Sequence, residues 1–164
     1  GALSQNGQRI LLIKKFRDLL MQGLKECVPD FLSDVSLWSE FYGVSKQDRI
    51  VMGFSQGAMM ALSLNYLSST PCMQTVVSFS GGIPFKIESC DQEDRYLIVH
   101  GKEDDVVVPE RGLEAADILK SAGASVEVAM LEGLGHSINY EAIERTKKFF
   151  KSKFFKNVCE DLLN

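Results

Sequence analysis

Between Ile10 and Cys27 the apolar residues Ile13, Phe16, Leu20, Leu24 and Cys27 recur at intervals of three and four, with Lys14, Lys15, Arg17 and Asp18 set among them. That period predicts an amphipathic helix. Pro29 should interrupt or restart it, because proline has no N–H to give the helix ladder. A second helical piece is expected from Asp30 to about Tyr42, ending at Gly43. Past the turn-rich GVSKQD the spacing changes to short apolar runs: 49–52, 74–80 (QTVVSFS), 95–100 (RYLIVH) and 125–131 (SVEVAML). Helix-like segments fall at roughly 56–67, 109–122 and 139–155. The alternation predicts βα units in an α/β fold, an open parallel sheet with helices on both faces. No internal repeat, low-complexity stretch or linker breaks the pattern, and the 164 residues, 45% of them hydrophobic, suit a single domain.

Open α/β sheets bind ligands beyond the carboxyl ends of their strands, so the strand ends are where chemistry is expected. They read GFSQG, SGG, HGKEDD and EGLGHS in chain order. In GFSQG, Ser55 sits between a strand and a helix, where a tight elbow would expose its hydroxyl while Gly53 and Gly57 leave room for the turn. The competing reading is a serine that merely caps the following helix. A serine hydroxyl needs a base, and the chain holds two histidines, His100 and His136. His100 closes an apolar strand, whereas His136 lies in a glycine-rich loop after the last strand and is the better base. HGKEDD supplies Glu103, Asp104 and Asp105 as carboxylates that could orient an imidazole. Serine, then acid, then histidine at successive strand ends is the order of the α/β-hydrolases.

Composition narrows the partners. A formal net charge of −4 and a sequence pI near 5.2 provide no field for nucleic acid, so a small or apolar ligand is expected. The four cysteines, Cys27, Cys72, Cys90 and Cys159, show no paired spacing, which argues against a disulfide scaffold or a zinc cage and suits a reducing compartment. No run is long enough to span a bilayer and the first residues lack a signal-peptide pattern, so the expected location is cytoplasmic. Phe149, Phe150, Phe154 and Phe155 alternate with lysines in a way that could favour an anionic membrane, but a helix packing its aromatics inward explains them better.

The segments GFSQGAMMAL, FSGGIP, HGKEDDVVVP and EGLGHS together resemble the phospholipase/carboxylesterase family of small serine hydrolases, relatives of the acyl-protein thioesterases. The likeness runs from about Arg49 to Phe155. It implies Ser55 as nucleophile, Asp104 as acid and His136 as base, with His100 marking the motif without catalysing. An extra residue between Asp104 and the final Val108-Pro109 keeps Asp105 as an alternative acid. The expected reaction is hydrolysis of a carboxylic ester or thioester through an acyl-enzyme, with the Gln56 N–H as one oxyanion donor and no metal or organic cofactor.

A second oxyanion donor is absent from the sequence, since nothing before Ser55 matches the Leu-His-Gly-x-Gly type of turn that the family resemblance implies. Only about 50 residues, mostly helical, precede the nucleophile. The expectation is therefore a sheet lacking its N-terminal strands, the C-terminal portion of a longer domain, with an open apolar edge that a longer chain or a partner subunit would cover. Met52, Phe54, Met59, Met60 and SFSGGIPF could border an acyl pocket, although methionines beside an elbow usually fill the core.

Overall fold

The computed structural model describes residues 5–68 and 73–161, with side chains described from 14 to 152. Four helices and four strands follow the chain order α1 (Gln5–Tyr42), β1 (Ile50–Phe54), α2 (Gln56–Leu67), β2 (Thr75–Phe79), β3 (Arg95–Gly101), α3 (Glu110–Ser121), β4 (Ser125–Leu131) and α4 (Tyr140–Asp161). All three strand pairings are parallel, and the sheet order β1-β2-β3-β4 is the chain order. The predicted α/β class and open parallel sheet are therefore present.

Each central strand feeds two cores. Val76, Tyr96 and Ile98 face one cluster with Leu62 and Leu64 of α2, Ala115, Ala116 and Leu119 of α3, and Val28 of α1. Val77, Phe79, Leu97 and Val99 face the other, with Leu131, Leu134, and Ala142 and Phe149 of α4. This is the period-2 alternation of strands sandwiched between helices, and it explains why every residue of β2 is buried. The outer strands differ: β4 alternates exposed and half-buried residues from Ser125 to Val128, as an edge should, and then sinks through Ala129 and Met130 to the buried Leu131. In β1, Met52 and Phe54 align in register with Val77 and Phe79, on the second face, yet remain 58% and 39% exposed. Met52 thus lies on an uncovered part of that face rather than filling the core.

The first helix departs from expectation in two ways. It runs unbroken through Pro29, because the buried or half-buried Leu24, Val28, Phe31, Leu32 and Val35 straddle the proline at helical spacing, and packing outweighs the lost hydrogen bond. The buried stripe is also displaced. Of the expected face, Leu24 is buried but Phe16 is 64% exposed and Cys27 faces solvent, while the side chain of Ile13 lies outside the described residues. Near its end Trp38, Phe41 and Tyr42 form an exposed ring cluster, Trp38 stacked on Tyr42 at 5.9 Å and Phe41 edge-on to Tyr42 at 4.9 Å.

On α4, Phe149 is buried and Phe150 packs beside it, while Lys147, Lys148 and Lys151 point to solvent. Aromatics inward and lysines outward is the arrangement the sequence favours over a membrane face. Phe154 and Phe155 fall outside the described side chains. No helix among the described residues is long and apolar enough to cross a membrane.

Candidate active site

Ser55 occupies the single-residue gap between β1 and α2 with φ 54° and ψ −118°, backbone that L-residues rarely adopt. The turn is this tight because Gly53 passes against the helix: a Cβ there would lie 2.2 Å from the Gly57 carbonyl oxygen and 2.6 Å from the Ala58 nitrogen. A Cβ on Gly57 would meet nothing within 4 Å, so only the first glycine of GFSQG is required by space. The Ser55 N–H donates to Phe79 O at 2.9 Å, tying the elbow to β2. Ser55 stands at the N-cap position of α2 yet its side chain makes no capping bond, which removes the simpler reading of this serine.

Its hydroxyl instead meets His136: Ser55 Oγ lies 3.0 Å from His136 Nε2. On the other side of the ring, Nδ1 is 2.9 Å from Asp104 Oδ2 and 3.1 Å from Oδ1. A carboxylate only accepts, so Nδ1 carries the proton and Nε2 offers its lone pair to the serine. The Phe54 ring lies against the imidazole with centroids 4.8 Å apart, placing this β1 aromatic beside the base. Three strand ends separated widely in sequence are thus brought together at the carboxyl edge of the sheet.

Asp104 is 3% exposed. Burial pushes its carboxyl up, but donation from His136, the Val107 N–H, the Ser80 hydroxyl and the Val106 N–H outweighs burial and holds it below the usual carboxylate range. The Val106 and Val107 amides reach Oδ1 at 3.0 and 2.9 Å. The neighbouring Asp105 is exposed, and of the two acids it is Asp104 that touches the imidazole.

Gln56 is the first residue of α2, so its N–H belongs to the helix turn whose amides have no intrahelical acceptor, next to Ser55. A largely apolar cavity of about 280 Å³ opens beside this turn, lined among others by Leu20, Leu24, Cys27, Gln56, Gly57 and Met60. Phe85, by contrast, stacks on Tyr66 at 4.5 Å and joins the first core cluster. Among the described residues no group of histidine, cysteine or acidic side chains could hold a metal ion.

The sequence does not single out Ser80. SGG after β2 reads as a strand end, but nothing in it distinguishes a serine at φ 52° that is buried and donates to the acid. His100, the second histidine, is fully buried, with Nε2 2.7 Å from Val107 O.

The Phospholipase/Carboxylesterase family profile matches residues 15–153. The chain belongs to that family. It is 30% identical over 118 residues to Esterase YpfH of Escherichia coli (strain K12), covering 71% of this chain and 50% of that protein. It is 36% identical over 104 residues to Acyl-protein thioesterase 1 homolog 1 of Dictyostelium discoideum, covering 61% of this chain and 46% of the relative. Among solved structures, esterase PE8 superposes with a TM-score of 0.71 at 25% identity, over 81% of this chain and 63% of the other. The chain therefore spans about half the length of the curated relatives it matches.

Proposed function

We propose that this phospholipase/carboxylesterase family chain carries the acid, base and nucleophile of a serine hydrolase that cleaves carboxylic esters or thioesters. One observation carries the reading: the unbroken relay from Ser55 Oγ through His136 to Asp104, at 3.0 and 2.9 Å, on a serine held in a strained elbow. The names of the similar proteins, an esterase and an acyl-protein thioesterase homologue, support the substrate class.

In this reaction Ser55 Oγ attacks the carbonyl carbon as its proton passes to His136 Nε2, and Asp104 stabilises the imidazolium that results. The Gln56 N–H, at the positive end of α2, faces the developing oxyanion. His136 returns the proton to the departing alkoxide or thiolate, leaving an acyl-serine. Water then attacks that ester with His136 again as base, releasing the acid and restoring Ser55.

A second reading is a hydrolase-fold protein that binds a ligand without turning it over, favoured by the largely apolar cavity of about 280 Å³ beside the Ser55 turn. A fluorophosphonate separates the two. Intact-mass spectrometry should show one adduct, mapping to Ser55 and absent from Ser55→Ala. No adduct on a folded protein would refute catalysis and leave the binding reading.

A further inference from the structure

His100 closes β3 and is fully buried, yet no step of the hydrolysis uses it. Its Nε2 lies 2.7 Å from Val107 O and 3.4 Å from Asp104 Oδ2. The carbonyl can only accept, so Nε2 bears the proton and donates to Val107, with the carboxylate as a longer second contact. Val107 in turn donates its N–H to Asp104 Oδ1 at 2.9 Å. One imidazole edge therefore grips the 104–107 turn at both its carbonyl and its acid. The opposite edge receives no such return. Among the described residues Nδ1 has no hydrogen-bond partner, and it faces Gly112 of α3 so closely that a Cβ there would stand 2.5 Å away. A buried ring nitrogen left unpartnered costs stability, and what the ring gains in exchange lies entirely on the turn that carries Asp104.

We infer that His100 is a positioning residue, which fastens the 104–107 turn so that the Asp104 carboxylate stays against Nδ1 of His136. Asp104 thus sits between two imidazoles with different tasks, one that moves a proton and one that holds the acid still. The role in catalysis rests on the serine hydrolase reading; the placement of Asp104 does not. A histidine that only filled the core could be replaced by an apolar residue of similar size without any effect at His136. A positioning histidine could not.

Asp104, Ser55 and the Phe54 ring all contact the His136 ring, and Asp104 accepts from its Nδ1–H, so a change in how Asp104 is held should be felt directly at that proton. The chain has only two histidines, and removing His100 leaves His136 as the sole imidazole signal. The test measures, on the whole 164-residue chain, the NMR resonance of the His136 Nδ1–H and the rate of fluorophosphonate labelling. In His100→Leu, labelling should slow by about tenfold or more and the His136 Nδ1–H resonance should move upfield, because the carboxylate that accepts its hydrogen bond has drawn back. His100→Gln, which keeps a donor, should recover part of both. Gly112→Ala presses on the ring without altering any relay residue. Alanine is the better helix former, so on α3 alone it should stabilise; it should nonetheless shift His136 in the same direction as His100→Leu, and it carries the test if that variant does not fold. A His136 Nδ1–H resonance equal to wild type in every folded variant would overturn the inference, even if melting temperatures fell. If wild type never labels but the resonance still moves, the positioning role stands and the hydrolase reading is the one that fails.

Discussion

Ser55 lets backbone strain be measured apart from chemistry. Its φ of 54° and ψ of −118° match the first central position of a type II′ turn, which glycine takes without penalty and other residues take at about 1–3 kcal/mol. Ser55→Ala and Ser55→Gly both remove the hydroxyl and its 3.0 Å contact with His136, so the two variants differ only in their backbone energetics. At an ordinary site glycine would be the less stable by about 0.5–1 kcal/mol, from the extra freedom of its unfolded chain. Here relief of strain should exceed that cost and leave Ser55→Gly more stable than Ser55→Ala by about 1 kcal/mol. For a chain of this size that corresponds to roughly 2–4 °C in Tm. Urea unfolding followed by circular dichroism reads the difference, with equal slopes in both variants showing that the unfolded state is unchanged. Neither variant should react with a fluorophosphonate. If the glycine variant proves equal to the alanine variant or weaker, the elbow is not strained and the proposal of a nucleophile held in a forced backbone loses its physical basis.

Asp104→Asn should slow fluorophosphonate labelling by about 10³-fold or more by favouring the wrong tautomer of His136, while Asp105→Asn stays within about twofold, as measured in parallel labelling time courses. Gly53→Ala should lower stability by about 3 kcal/mol, seen in urea unfolding, because its Cβ would meet the backbone of Gly57 and Ala58 rather than a side chain that can turn away. Asp104 is held below the usual carboxylate range, so the stability it contributes is present above about pH 4 and lost as pH falls through its folded-state value; Asp104→Asn should erase that part of the acid transition in a melting-temperature series. Asp94 runs the other way. Burial raises its carboxyl, opposed by Lys46, so its charge costs stability at neutral pH; Asp94→Asn should raise Tm at pH 7, with the gain gone below about pH 4 where the carboxyl is protonated in both states.

The two central strands are legible in the sequence because short apolar runs, Val76-Val77 in β2 and Tyr96 to Val99 in β3, are bounded by turn signals, the mark of strands buried on both faces. The relay is legible for a different reason: its members stand at strand ends, where topology forces side chains from separate units to one edge. The first helix is legible only in outline, because its periodicity is real but does not say which of several apolar stripes meets the sheet. Leu24, Val28, Phe31, Leu32 and Val35 meet it, while Phe16 and Trp38 do not, and that choice is made by tertiary packing. Ser80 and the grip of His100 are invisible in the sequence because both act through close contacts, and close contact has no signature in spacing. Asp105 separates from Asp104 only once the Val106 and Val107 amides are seen closing on one carboxylate.

The relay and the uncovered part of the sheet pose separable demands. Ser55, Asp104 and His136 are supplied by the ends of β1, β3 and β4, and everything seen to hold them, Phe79 O for the elbow, Val107 and Ser80 for the acid, His100 for its turn, comes from the same four-stranded sheet and its loops. Proton transfer between Ser55 and His136 therefore asks nothing of the free side of β1. Met52 and Phe54 remain exposed on the second face of the sheet, the Phe54 ring against His136, and neither gives a hydrogen bond to the relay. Labelling of Ser55 by a fluorophosphonate should therefore report how well this sheet and its loops hold the relay, because every contact seen to hold it lies within them.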